Sequence, residues 1–172
     1  MKKEKQFEIK FAYLKAGLHQ FSYRIDEKFF VDLNSADIID SMLNVDVELM
    51  KEDNLLVLEF DIDGSVTVCC DRCSDNMELA IDCNNRLIVK FGENLLEETD
   101  EIIMIPAKEN SIDIASYIFE YIHLQLPQRK VHEVAACNAD AIKRLNGLNG
   151  KVNGEATVDP RWEVLKNLKL DS

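Results

Sequence analysis

The chain is predicted to be α+β: an antiparallel β-sheet or partly closed barrel built from N-terminal and central strands, followed by amphipathic helices in the C-terminal third. Two observations predict this. Apolar and polar residues alternate through successive runs as far as residue 91, and beyond residue 110 the apolar period becomes helical. Strands gathered first and helices after favour α+β over alternating βα units. At 172 residues and 47% hydrophobic, the chain suffices for a single domain, 1–172, with a sizeable core.

The alternating runs are Phe7, Ile9 and Phe11; Val45, Val47 and Leu49; Leu56, Leu58, Phe60 and Ile62; Met77, Leu79 and Ile81; and Leu87, Val89 and Phe91. Period two means strands with one buried face. Short polar breaks ("KEDN", "DGS", "CSDN", "NN") predict an antiparallel meander over 45–91, folded against the N-terminal strand, so that 1–92 is mostly β. Within it, "SADIIDSML" at 35–43 reads as a short helix capped by Ser35.

"ENLLEETDE", with five acids and no base, opens a segment at 93–110 expected to be a solvated acidic loop and a short strand. A helix follows over 111–127. Ile114, Ile118 and Ile122 recur every four residues beside Phe119, Ser111 or Asp113 can cap the start, and Pro127 ends the run. The remainder, 128–172, is a mildly basic helical tail: "NADAIKRLNGL", a Gly-rich stretch over 146–157 expected to be flexible, and "DPRWEVLKNLK" with Asp159 as N-cap and Pro160 at the first helical position.

The formal net charge of −12 excludes a surface that binds DNA or RNA broadly, because affinity for phosphate backbones rests on Lys and Arg displacing counterions. Residues 128–172 hold eight Lys/Arg against six Asp/Glu, so the first 127 carry −14 and any nucleic-acid contact must be local to the basic end. The longest apolar runs, "LLVL" and "IIMI", are too short to span a bilayer, and a cytoplasmic protein without membrane contact is expected. In that compartment five cysteines, an odd number, are not a disulfide framework.

Three of the five cysteines crowd into "VTVCCDRCSD" at 66–75. Val66, Val68 and Cys70 share parity, which places Cys70 on the core side of a strand, Cys69 outside and Cys73 in the following turn. A Cys-x-x-Cys turn brings two thiolates to one ion, and tetrahedral zinc needs two further ligands. The candidates are Cys83, Cys137, His19, His123 and His132. "HEVAAC" separates His132 from Cys137 by four residues, near the spacing of second ligand pairs in small zinc modules, so Cys70, Cys73, His132 and Cys137 make a candidate Cys3His site. Two other readings stand beside it. Cys70 and Cys83 can be small buried hydrophobes, or Cys70 and Cys73 a thiol redox pair, although such pairs draw on a helix N-terminus and this one follows a β pattern.

No Gly-x-Gly-x-x-Gly, Walker loop, His-Glu-x-x-His or Gly-x-Ser-x-Gly motif is present, so nothing in the residues points to nucleotide or hydrolase chemistry and no catalytic residue is assigned.

Three segments together resemble one family. "CCDRC" at 69–73, "SIDIASYIFEYIHLQLP" at 111–127 and "DPRWEVLKNLK" at 159–169 are similar in order and spacing to the YceD family, the large ribosomal RNA subunit accumulation proteins. The resemblance implies a bacterial cytosolic ribosome-biogenesis factor needed for large-subunit (23S) ribosomal RNA to accumulate, rather than an enzyme. Many family members carry a second cysteine pair in a Cys-Gly segment after the Leu-Pro. This chain has "VHEVAACNAD" there, which leaves His132 and Cys137 as the direct substitute.

Two routes to such a role are open to a chain of this charge. Local rRNA contact would use Arg129, Lys130, and Arg161 beside Trp162, an indole that can stack on a base or, with Leu165 and Leu168, face a core. The acidic body suits the other route better: binding a basic ribosomal protein or a pre-ribosomal particle as an adaptor.

Overall fold

The computed structural model describes residues 6–92 and 101–148. The acidic run over 93–100, most of the Gly-rich stretch and the whole of "DPRWEVLKNLK", with Arg161 and Trp162, lie outside the described residues.

A five-stranded sheet in the order β2-β3-β4-β5-β6 dominates: β2 Gly17–Ile25, β3 Ile38–Lys51, β4 Leu55–Cys69, β5 Asn76–Phe91 and β6 Ile102–Ile105. The first four strands form the antiparallel meander, and β6, the expected short strand, adds parallel to β5. The sheet is open, with β2 and β6 at its edges, which decides against the barrel form. A helix α1 (Glu27–Asp32), capped by the Asp26 carboxylate accepting from the Lys28 N–H, joins β2 to β3. Neither β2 nor α1 stands out in the sequence. β2 is an edge strand whose core-side positions include His19, and whose solvent side carries Leu18 at 53% exposure, so its alternation is blurred.

One face of the sheet is the core. Leu43, Val45, Val47 and Leu49 on β3, Leu56, Leu58, Phe60 and Ile62 on β4, and Ile81, Leu87 and Val89 on β5 are all buried. Helix α2 (Ala115–Gln125) lies over this face, burying Ile118, Tyr121 and Ile122, with Tyr121 packed edge-on against Phe60. The N-cap position is Ile114, without a side-chain cap bond; of the two candidate caps Asp113 lies one residue earlier and its carboxylate accepts from the Ala115 N–H, while Ser111 donates to Glu8. Helix α3 (Ala139–Leu148) follows, with Asn138 accepting from the N–H groups of Asp140 and Ala141. No helix among the described residues is long and apolar enough to cross a membrane.

Two expectations are corrected. The "SADIIDSML" segment is strand from Ile38 onward, not helix. A bulge between Ile38 and Asp40 inserts one residue into the ladder with β4, so Ile38 and Leu43 face the core across a shifted parity, and the apolar spacing mimics a helical one. The N-terminal run does not join the main sheet. Only Glu8–Ile9 (β1) is strand, pairing with Ile112–Asp113 (β7), and Phe11 begins a 3-10 turn.

Gly64 sits in the middle of β4 with φ +134°, where a Cβ would lie 2.1 Å from the Met42 carbonyl oxygen. The backbones of β3 and β4 approach here as no side chain allows. Gly64→Ala is therefore expected to destabilise the fold by about 3 kcal/mol or more, read as a shifted urea midpoint.

Candidate metal centre

β4 ends at Cys69, and the chain turns at once. The Cys70 N–H donates to the Asp75 carbonyl and the Ser74 N–H to the Cys70 carbonyl, with Ser74 in the left-handed region at φ 64°. The parity reading holds: Cys69 is exposed and Cys70 buried on the core side. The connection between α2 and α3 passes over this turn and is fastened to it. The Asp71 N–H donates to the Lys130 carbonyl and the Lys130 N–H to the Asp71 carboxylate, both at 2.6 Å.

That fastening brings His132 and Cys137 onto Cys70 and Cys73. One ligand atom from each of the four lies within 4.8 Å of the others. Cys70 Sγ is 4.0 Å from Cys137 Sγ, and His132 Nδ1 is 3.4 Å from Cys73 Sγ and 3.8 Å from Cys137 Sγ. A zinc tetrahedron with Zn–S of about 2.3 Å and Zn–N of about 2.0 Å has S–S and S–N edges of roughly 3.5–3.8 Å, so small side-chain adjustments close the set. The second ring nitrogen supports the same reading. His132 Nε2 lies 3.2 Å from the Asn76 carbonyl, which accepts its proton and leaves the Nδ1 lone pair aimed at the thiols, the arrangement usual for a metal-bound histidine.

The other candidates fall elsewhere. Cys83 belongs to the hydrophobic core cluster, as the buried-hydrophobe reading expects, whereas Cys70 and Cys137 are buried outside that cluster. His19 Nε2 is 2.8 Å from the Lys15 carbonyl, and the His123 ring packs on Phe119 at 4.0 Å between centroids. Arg129 is exposed, and Lys130 serves the site through its backbone. Two residues that the sequence reading left unassigned, Asp71 and Arg72, are part of the centre. Arg72 donates its backbone N–H to Cys70 Sγ at 3.4 Å, and its guanidinium lies 3.5 Å from both Cys137 Sγ and the His132 carbonyl. Their signal was position, between the two ligands of "CDRC".

Electrostatics prepares one of the four, Cys70, for a cation, and holds protons on two of the others. Burial pushes the Cys70 thiol up, but the N–H groups of His132, Arg72 and Cys73 hydrogen-bonded to its sulfur outweigh this and bring it from 9.0 to about 6. The hydrogen bond to Cys73 raises His132, and burial raises Cys137. Four inward ligands on a strand end and a clamped loop make a closed, structural type of site, and the geometry does not favour a two-thiol redox device.

Protein purified without chelator is expected to hold one zinc per chain by elemental analysis. Cys73→Ser loses it, and Cys83→Ala keeps it. With zinc at a thousandfold excess over its dissociation constant the gain is about 4 kcal/mol, or roughly 8–16 °C in Tm for a chain of this size, and a chelator should reverse that shift. Because the metal needs thiolates and a neutral imidazole, binding displaces protons from Cys137 and His132. Zinc affinity should therefore rise with pH between 6 and 8 in a chelator competition, and a flat profile would refute the ligand set.

Comparison with protein families matches residues 58–169 to the model described as large ribosomal RNA subunit accumulation protein YceD, a span that contains all four candidate ligands. Searches among curated proteins and among solved structures find no match. The matched span takes in most of β4, β5, the "CDRC" turn and α2, the elements that build the centre and its support, and on that ground the chain belongs to the YceD family.

Proposed function

We propose that the chain is a non-catalytic ribosome-assembly adaptor, needed for large-subunit ribosomal RNA to accumulate, which acts by binding a basic ribosomal protein or a pre-ribosomal particle. Zinc held by Cys70, Cys73, His132 and Cys137 has a structural part in this reading: it locks the α2–α3 connection to the sheet. That connection carries Arg129 and Lys130, which with Arg161 and Trp162 are the candidates for a local rRNA contact.

The observation that carries the adaptor reading is the solvent face of the sheet. Asp46 and Glu48 on β3 stand directly opposite Asp61 and Glu59 on β4, and Asp63 stands opposite Asp82 on β5. Like charges paired across strands destabilise a sheet. Arg86 lies opposite Glu59 and offsets part of that repulsion, and the face stays acidic. A repulsive arrangement on one face of the sheet suits attraction of a positively charged protein, and repels bare RNA.

The double variant Asp46→Asn, Asp61→Asn separates stability from function. It should be as stable as the parent or up to about 1 kcal/mol more so, since it relieves one cross-strand repulsion. In cells that depend on this protein it should lower the yield of large-subunit rRNA and of co-purified ribosomal protein. Undiminished rRNA with the variant, or tight, steeply salt-dependent binding of the parent to naked rRNA, would overturn the adaptor reading.

A further inference from the structure

β2 pairs with β3 through nine consecutive residues and, among the described residues, has no backbone hydrogen-bond partner on its other side. Such an edge is a template for a further strand, and folded proteins blunt it with Pro, Lys, a bulge or a short strand. From Gly17 to Ile25 there is no Pro, no Lys and no break in register, and Arg24, one residue from the end, is the single fully charged side chain.

Two depressions flank this strand, and their chemistries differ. On the solvent side a trough of about 430 Å³ is lined by Gln20, Ser22, Asp46, Glu48, Glu59 and Asp61. Gln20 donates to Glu48 and Ser22 to Asp46, which holds these carboxylates toward the edge. On the other side a groove of about 570 Å³ is lined by the apolar and aromatic Ile9, Tyr13, Leu14, Phe21 and Tyr23 and also by Gln6, Glu8 and Lys10, with Tyr13 83% exposed.

We propose that the free edge of β2 docks an extended segment of a partner protein in which apolar and basic residues alternate. Successive side chains of an added strand point to opposite faces. One set therefore enters the aromatic groove while the other crosses Gln20 and Ser22, and strand spacings of about 4.8 Å leave Asp46 and Glu48 within reach of Lys or Arg. A second copy of this chain fits poorly, since edge-to-edge pairing would bring two acidic troughs together at a net charge of −12 each.

The inference rests on the adaptor reading and adds to it a docking mode and a partner pattern. The test uses the full chain and two nine-residue peptides of identical composition, one alternating Lys and Val, the other with Lys and Val in separate blocks. Fluorescence anisotropy at physiological salt is expected to show the alternating peptide binding at least tenfold tighter. Amide hydrogen exchange should slow along Gly17–Ile25 when it binds, and Asp46→Asn with Glu48→Gln should weaken it about tenfold. Equal affinity for the two peptides, or binding without protection of β2, overturns the docking mode and leaves the acidic-face adaptor standing. Protection of β2 in the free chain that disappears when residues 2–5 are deleted would put the chain's own N-terminal lysines on the edge and overturn it as well.

Discussion

The side-chain parity of β4 is the constraint on which the molecule turns. Even-numbered positions from Leu56 through Ile62, and again at Val66 and Val68, are buried on one face, and Gly64 keeps the phase while the strand passes close to the β3 backbone. The same parity delivers Cys70, the next residue in the series, to the helix side of the sheet. A thiol on the opposite side, as at Cys69, would face solvent and meet nothing of the α2–α3 connection. The fold and the candidate metal centre are thus one pattern, continued past the end of the strand.

Around that end, backbone hydrogen bonding does what a core cannot. The loop after α2 is attached to the "CDRC" turn by the Asp71–Lys130 pair, by the Arg72 guanidinium on the His132 carbonyl, by His132 on the Asn76 carbonyl and by the four converging side chains. A bound cation would add the strongest interaction in this region, because its ligands come from segments about sixty residues apart in the chain. Arg72 offsets charge there as well: three thiolates and one imidazole around a divalent ion leave a unit negative charge, and its guanidinium lies beside Cys137.

The two faces of the sheet divide the labour. The inner face is apolar and covered by α2, and the outer face gathers acids whose cross-strand repulsion costs stability. Large buried side chains such as Phe60, Leu58 and Leu87 on the one face supply stability that offsets the repulsion on the other. At the β2 edge the two faces come within one strand of each other, so an added segment would sample both.

The sequence by itself determined the strand meander over 45–91, the body though not the start of the helix expected over 111–127, which forms over Ala115–Gln125, the side of the sheet on which Cys70 lies and the pairing of Cys70/Cys73 with His132/Cys137 as a candidate ligand set. These are legible because side-chain period and ligand spacing are local properties of the chain. Tertiary structure decided the rest. The bulge at Ile38–Asp40 reset parity and turned an apparent helix into strand, since a two-to-one mismatch depends on the partner strand. Pairing of Glu8–Ile9 with Ile112–Asp113, about a hundred residues away, drew the N-terminus off the main sheet. Asp71 and Arg72 became parts of the centre, and acids scattered over three strands became one face, only when strand register and the Asp71–Lys130 contact set which residues are neighbours, and no local period encodes that.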